Sequence, residues 1–397
     1  MKNRSSLVLI FLTVFIDLLG FGILIPILPS FSVKELHIDE AAIGIAIALY
    51  SFVQFLFNPV FGKMSDKYGR KPVIVFCLFL NALGYLVFSF TNSYMLLLTS
   101  RVIAGIGGSS IGVAQAYIAD VTTRENRSKG MGLIGAAFGL GFVFGPLIGG
   151  LLSEFGYAAT GYVAAGFSLI AFVLTILYLP ESLKKAQNIE QPQNQIKRKM
   201  FDFVAMKTIL QKPDLAVLIL LFFILTFSFA NIYGTFALLG LKVYGFTDMQ
   251  NGYMFGIVGL TSALVQGGLI GRINKMMSKK MILMIGSLLI MLALAMIPYA
   301  GTFLGLAIVS IILSYGTGTF QPTILSLISE VTSETEQGIT LGMNQSLSSF
   351  ARVLGPLWGG FAFEYLGYPF PFLTGAVFTF IIFLLTVFYL PKKIKLD

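Results

Sequence analysis

The chain has 397 residues, of which 56% are hydrophobic and only 11% are charged. Soluble domains carry about 25% charged residues, so this composition excludes a soluble globular protein and indicates an integral membrane protein. The single cysteine, Cys77, excludes a disulfide framework within the chain, and the single histidine, His37, excludes a histidine metal cluster.

Twelve apolar segments are long enough to cross a bilayer, which takes a helix of about 20 residues. The first follows a short basic stretch, as in a signal peptide, but it is too long and lacks a small-residue cleavage site, so we expect it to remain as a helix. The sequence therefore predicts an all-α polytopic membrane protein. Its spans are residues 6–30, 42–61, 72–91, 95–119, 131–153, 158–179, 214–240, 250–270, 281–300, 303–328, 339–362 and 369–390.

Lysine and arginine are concentrated on one side of these predicted spans. If the spans alternate in direction, 23 of the 27 basic residues lie on the side that holds both termini. Because cytoplasmic loops are rich in these residues, both termini are predicted to be cytoplasmic in a multi-pass protein of the cell membrane. The net charge of +9 then follows from topology, and nucleic acid is not an expected partner.

The two halves of the sequence repeat each other. "GKMSDKYGRK" (62–71) matches "GRINKMMSKK" (271–280), and "FGPLIGG" (144–150) matches "LGPLWGG" (354–360), at offsets of 209 and 210 residues. Such a repeat predicts two pseudo-symmetric six-helix bundles related by an axis along the membrane normal. The predicted domains are an N-terminal bundle (1–180), a polar cytoplasmic linker (181–213) and a C-terminal bundle (214–397).

Four motifs occur in order: "IDLLGFGILIPILP" (16–29), "GKMSDKYGRKP" (62–72), "RVIAGIGG" (101–108) and "GAAFGLGFVFGPLIGG" (135–150). With these motifs the sequence resembles the major facilitator superfamily, and most of all its twelve-helix drug:proton antiporter family near the tetracycline-efflux branch. The resemblance implies a secondary active transporter that works by alternating access and exports lipophilic or cationic small molecules, such as drugs, in exchange for protons. We expect a monomer in the lipid bilayer that uses the proton gradient and no cofactor.

Two departures bear on the substrate. Tetracycline exporters carry a second aspartate in helix three, where this sequence has Gly84 within "NALGYL", and often a histidine in helix eight, where it has Ser262. Tetracycline itself is therefore not the expected substrate. A metabolite or sugar transporter of the same fold, working as a symporter or uniporter, is the alternative, and a membrane receptor or scaffold is a third. No "GxxxxGK[ST]" motif and no nucleophile–histidine set is present, so an enzyme is not expected.

Three ionisable residues lie well inside predicted spans: Asp17, Arg101 and Arg352. A charge at the centre of a membrane helix costs about 2.5–3.5 kcal/mol, so each is a functional candidate. Asp17 is expected to couple transport to protons or to recognise a cation, and the resemblance places Arg101 in the proton path. Alternatively, Asp17 and Arg101 are structural, paired with each other. Arg352 either faces an anionic substrate or extends toward the surface.

The resemblance implies a cytoplasmic gate, in which charge pairs clamp the two halves, and a packing hinge in helix five. Polar residues on apolar helices predict the lining of a substrate cavity, or alternatively hydrogen bonds between helices. The gate residues are Gly62, Asp66, Gly69, Arg70, Lys71, Asp120 and Glu330, and the hinge residues are Gly141, Gly145, Pro146 and Gly149. The cavity residues are Tyr50, Gln54, Asn58, Gln115, Asn231, Gln321, Asn344, Gln345 and Arg352.

Overall fold

The computed structural model describes residues 2–122, 124–183, 211–332 and 337–390, with side chains for 6–122, 133–183, 211–332 and 340–390. Most of the predicted linker, residues 184–210, lies outside this part. Twelve long helices make up the described chain, which confirms the predicted fold class. They are α1 (Lys2–Lys34), α2 (Glu40–Tyr68), α3 (Arg70–Ser89), α4 (Tyr94–Val121), α5 (Arg124–Leu152), α6 (Tyr157–Tyr178), α7 (Pro213–Lys242), α8 (Asp248–Met276), α9 (Lys279–Tyr299), α10 (Phe303–Val331), α11 (Gln337–Phe361) and α12 (Phe370–Phe388).

Polar side chains fix where several of these helices begin. Asp39 accepts a hydrogen bond from the Ala42 amide at 2.7 Å, and the hydroxyls of Ser93, Ser278 and Thr302 cap α4, α9 and α10 in the same way. Thr247 forms a reciprocal capping box at the start of α8. Such caps satisfy amides that have no partner within the helix, and so they mark the ends of the spans.

Three of the spans are interrupted. Helix α4 consists of Tyr94–Gly107 and Ser110–Val121, α7 breaks at Asn231, and α8 contains a π-helical turn at Val265–Leu269. From the sequence, each of these spans was expected to be one continuous helix. At the interruption of α7, the buried side-chain amide of Asn231 donates to the Pro371 carbonyl and ties α7 to α12.

The two halves show the same packing. In the N-terminal half α1 packs on α5 and α6, α3 on α4 and α6, and α2 on α4. In the C-terminal half α7 packs on α11 and α12, α9 on α10 and α12, and α8 on α10. Each pair thus has its counterpart six helices later, as the sequence repeat predicts. Between the halves, α2 packs on α11 and α5 on α8.

Helix α11 differs from the others in polarity. Eleven helices of the described chain are both long and apolar enough to cross a membrane, and α11 is long enough but less apolar. Asn344, Gln345, Ser348, Ser349 and Arg352 account for this difference. Of these, Gln345 is exposed and Arg352 is partly exposed, whereas Asn344, Ser348 and Ser349 are buried.

The halves meet at one end and separate at the other. We call the end with the loops around Arg70 and Lys279 the basic end, and the end with the loops around Leu36 and Thr302 the opposite end. At the opposite end, a methyl group built on Gly44 would lie 3.1 Å from Gly360 Cα. The halves contact each other through α2, α5, α8 and α11. At the basic end, methyl groups on Gly62, Gly139, Gly268 and Gly342, one in each of these helices, would have no described atom within 4 Å. The boundary is therefore closed at the opposite end and open at the basic end.

Candidate substrate and proton site

The Asp17 carboxylate lies in the middle of the N-terminal half and is 5% exposed. Asn81 Nδ2 donates to both of its oxygens, at 2.9 and 3.0 Å. The hydroxyls of Ser168 and Ser110 donate to it at 3.1 and 3.3 Å. Helices α3, α4 and α6 thus each supply a neutral donor to a carboxylate on α1. A carboxylate that accepts several hydrogen bonds can stay buried without a cation beside it.

Arg101 does not pair with Asp17, so the pairing considered from the sequence is wrong for this structure. No described carboxylate forms an ion pair with Arg101 within 4.0 Å. Its guanidinium instead lies over the Phe88 ring, 5.5 Å from the ring centre, and its Nε donates to Ser100 Oγ at 3.3 Å. Arg101 is 4% exposed, and its Nη2 has no hydrogen-bond partner.

Asn81, the main partner of Asp17, was not among the site residues predicted from the sequence. The sequence could have identified it, because Asn81 is the one Asn or Gln residue between Arg70 and Ser89. It lies in the "NALGYL" segment that was compared with the aspartate of tetracycline exporters, three residues before Gly84. A lone amide in an apolar span requires a hydrogen-bond partner, and Asp17 is that partner.

Tyr50, on α2, lies near ionisable residues of both halves. Its ring stacks on Phe21 at 5.2 Å, and its hydroxyl lies against Gly108, where α4 breaks. Asp17, Arg101 and Arg352 all lie within electrostatic range of this hydroxyl. Arg352, on α11, donates from Nη2 to Ser349 Oγ at 3.0 Å.

The other predicted cavity residues are divided between open and packed positions. Gln54 donates to the Gly108 carbonyl at 2.7 Å, and Asn58 faces Gly112 across the boundary of α2 and α4. Gln115, Gln321 and Gln345 are exposed, whereas Asn344 is buried. Asn231 is fully buried, and its amide and backbone pack against Gly355, Gly359 and Pro371. Asn231 is therefore a packing residue in this structure, and its assignment to the substrate cavity stays a prediction.

The charged gate residues at the basic end pair within their own halves. Arg70 contacts Asp66 at 2.6 Å and Asp120 at 2.9 Å, and Glu181 accepts from the amides of Arg70 and Lys71 at 2.9 and 3.1 Å. In the C-terminal half, Lys279 pairs with Glu330. Among the described residues, the expected clamp between the halves is thus not formed in this open state.

Two gate glycines have different environments. Gly69 has φ of 106°, a conformation that favours glycine, and it turns the chain from α2 into α3 beside Glu181. Gly62 was expected to allow close approach of α2 to a neighbouring helix. Here it faces open space, with no described atom within 4 Å of an added methyl group. Because the basic end is open, the approach expected at Gly62 is absent from this conformation.

The glycines of helix α5 form a groove against α1. A methyl group on Gly145 would lie 2.6 Å from Gly22 Cα, one on Gly141 would lie 2.9 Å from Leu18 Cβ, and one on Gly149 would overlap the Ile23 carbonyl. The Pro146 carbonyl faces the other way, where it would be 2.6 Å from a methyl group on Gly252 of α8. Helix α5 therefore packs on its own half with one face and on the other half with a second face.

Ion pairs that the sequence analysis did not predict join the halves at the opposite end. Lys34 of α1 contacts Asp248 of α8 at 3.1 Å, and the Tyr157 hydroxyl donates to the same carboxylate at 2.7 Å. Lys242 of α7 pairs with Glu40 of α2. These residues lie in short loops and helix ends, where a sequence pattern does not reveal which charges come together.

A membrane protein with twelve described helices, two repeated halves, buried charged residues and an opening between the halves has the architecture of a transporter. The model of the Major Facilitator Superfamily matches residues 10–305 and 269–396. The chain belongs to this superfamily, which confirms the resemblance stated from the motifs, and it is a transporter rather than an enzyme.

The similar proteins include resistance proteins. The chain is 30% identical to multidrug resistance protein 1 of Bacillus subtilis (strain 168), over 94% of each protein. It is 28% identical to the class H tetracycline resistance protein of Pasteurella multocida, over 91% of this chain and 90% of that protein. Among solved structures, the crystal structure of the human organic anion transporter MFSD10 (TETRAN) superposes with a TM-score of 0.73 and 25% identity, covering 97% of this chain and all of that one.

Proposed function

We propose that this transporter exports lipophilic small molecules, drugs among them, in exchange for protons. The observation that carries the proposal is the environment of Asp17. Its carboxylate lies in the middle of a membrane-spanning helix, is only 5% exposed, and accepts hydrogen bonds from neutral donors. A buried carboxylate without a cationic partner gains a proton more readily than a salt-bridged one, because no positive charge stabilises its ionised form. The resistance proteins among its relatives support export of drugs.

The transport cycle would be alternating access by two moving bodies. We propose residues 1–180 and 214–397 as these bodies and 181–213 as their connection. The closed opposite end and the open basic end describe one state of the cycle. Since the basic loops favour the cytoplasm, the open end would face inward, in a monomer that crosses the cell membrane with both termini inside.

The test uses the full chain in proteoliposomes that contain a trapped pH-sensitive dye. Addition of a transported drug should change the lumenal pH in the wild type. In Asp17→Asn, which keeps the shape and removes the ionisable group, the proton movement should fall at least tenfold while drug binding persists. The Asp66→Asn variant is the control, since Asp66 is exposed at the basic end and is expected to slow the cycle without changing the ratio of protons to drug. Undiminished proton movement in Asp17→Asn would refute the coupling role.

A further inference from the structure

Gln54 lies on the face of α2 that is directed toward the other half. Near the start of α2, a methyl group built on Gly44 would lie 3.1 Å from Gly360 Cα of α11. Two turns before Gln54, the Cδ1 atom of Ile47 lies 2.5 Å from a methyl group built on Gly234 of α7. Residues seven positions apart share a helix face, so Gln54 lies on the same face as Ile47. Gln54 is partly exposed in the middle of its helix, and it is therefore accessible from the opening between the halves.

The side chain of Gln54 holds the interruption of α4 in place. Gln54 Nε2 donates to the Gly108 carbonyl at 2.7 Å, and the Ser109 hydroxyl donates to the Gln54 carbonyl at 3.5 Å. A methyl group on Gly108 would lie 3.1 Å from Gln54 Nε2 and 3.0 Å from Tyr50 Cζ, so this approach requires glycine. The interruption of α4 is thus positioned by side chains of α2.

On its other side, the same interruption contacts the groups that hold Asp17. A methyl group on Gly107 would lie 2.6 Å from the backbone nitrogen of Asn81, so α4 packs directly on the residue that donates twice to Asp17. Ser110, the first residue after the interruption, donates to Asp17 at 3.3 Å, the longest of the four bonds. Hydrogen bonds from hydroxyls to carboxylates are about 2.5–2.7 Å long at their strongest, so this bond has room to shorten.

We propose that Gln54 is the positioning residue that links the opening between the halves to the proton site at Asp17. Since α11 already packs on this face of α2 at Gly44, closure of the basic end would bring α11 toward Gln54. Contact there displaces the interruption of α4 and with it Ser110. A changed bond from Ser110 alters the stability of the ionised carboxylate, because hydrogen bonds to the charged form favour that form.

The link works in both directions. If closure changes the proton affinity of Asp17, then protonation of Asp17 must change the equilibrium between open and closed states by the same factor. This inference rests on the proposed function, in which Asp17 exchanges the proton. It gives Gln54 a mechanical role, whereas the sequence indicated only a residue that lines a cavity.

Asp17 is the group in this region that titrates near neutral pH. The ionisable side chains in the middle of the neighbouring spans are Tyr50 of α2, Cys77 and Tyr85 of α3, and Arg101 of α4. Thiols and phenols ordinarily titrate at about pH 8.5 and 10, and arginine keeps its charge throughout. Residues 133–152 of α5 and 163–177 of α6 include no titratable side chain. A response between pH 5 and 8 that disappears in Asp17→Asn therefore reports Asp17.

The experiment measures the distance between the halves as a function of pH, without a ligand. Spin labels on Tyr68→Cys and Met276→Cys, both exposed at the basic end, are attached in a full-length Cys77→Ser chain in detergent. We expect the distance distribution to change between pH 5 and pH 8, and this change to disappear in Asp17→Asn. In Gln54→Met, which keeps the length of the side chain and removes the donor, the change should fall by at least half. A merely structural role of Gln54 would shift the distances equally at both pH values.

Gln266→Met is the matched control, because it makes the same change at an exposed position of α8 and should keep the full response to pH. Gel filtration verifies that each variant is folded. Should Gln54→Met not fold, Gln54→Ala, which removes the same donor, decides in its place.

The outcomes separate this inference from the proposed function. A lost response in Asp17→Asn together with a full response in Gln54→Met overturns the role of Gln54 alone. A full response in Asp17→Asn overturns the proton role of Asp17 and this inference with it. A wild-type distance that does not depend on pH also overturns the link, since the two equilibria would then be independent.

Discussion

At the scale of single residues, the central finding is that neutral groups hold the Asp17 carboxylate. Asn81 contributes two hydrogen bonds at 2.9 and 3.0 Å, and the two serine hydroxyls complete the shell. Hydrogen bonds to a charged group contribute about 1.5–3 kcal/mol each, more than those between neutral groups. Asn81 therefore fixes the position of Asp17 without cancelling its charge.

The first prediction concerns this amide. Asn81→Ala should lower the free energy of unfolding by about 1–3 kcal/mol, because it leaves the buried Asp17 oxygens with fewer donors. Thermal unfolding in detergent measures the loss. In an Asp17→Asn background the same substitution should cost clearly less, since the two residues are coupled. Asn92→Ala, at an exposed loop position, is the control and should be neutral. Equal losses in both backgrounds would mean that Asn81 does not act through Asp17.

At the scale of helices, α5 shows how spacing determines packing. Gly141, Gly145 and Gly149 are four residues apart, so they lie on one face, and α1 approaches that face backbone to backbone. On the same helix Gly139 faces open space. One helix thus combines a close contact with its own half and a free surface toward the opening.

The second prediction uses this contrast within α5. Gly145→Ala places a methyl group 2.6 Å from Gly22 Cα, and the backbone of α1 has little freedom to move away. Overpacking of this kind typically costs about 1–3 kcal/mol, so the melting temperature should fall. Gly139→Ala adds the same methyl group in open space and should leave the melting temperature unchanged or slightly higher, because alanine favours helix by up to about 1 kcal/mol over glycine. A similar fall in both variants would contradict the groove.

At the scale of the whole molecule, the structure is closed at the opposite end and open at the basic end. The closure combines close helix contact at Gly44 and Gly360 with the ion pairs of Lys34 with Asp248 and of Lys242 with Glu40. Partly exposed ion pairs contribute modestly, about 0–1 kcal/mol each, so a small number of them holds the closed end without preventing its opening. At the basic end, Arg70 and Lys279 pair inside their own halves, which leaves the halves free to separate.

The third prediction tests whether the two ends exchange. Gly44→Leu obstructs closure at the opposite end, so it should shift the population toward a state with a closed basic end. Spin labels on Tyr68→Cys and Met276→Cys, both exposed at the basic end, report the distance between halves in a Cys77→Ser chain. This distance should shorten in Gly44→Leu. Gly62→Leu makes the same change at the other end of α2. There the distance between the spin labels should not shorten, because the added side chain obstructs the basic end. Identical distances in both variants would exclude alternating closure through α2.

The amino-acid sequence by itself determined the twelve spans, the two-half repeat and the family, because apolar length, glycine spacing and the distribution of lysine and arginine are local properties of the chain. It also selected Asp17, Arg101 and Arg352, since a charge in an apolar span is visible without a structure. Only the tertiary structure decided that Asn81, not Arg101, holds Asp17, that Asn231 packs inside its own half, and that Lys34 meets Asp248. The physical reason is that these contacts join residues 64, 140 and 214 positions apart along the chain. Which face of each helix turns toward its neighbour is set by the packing of all twelve together.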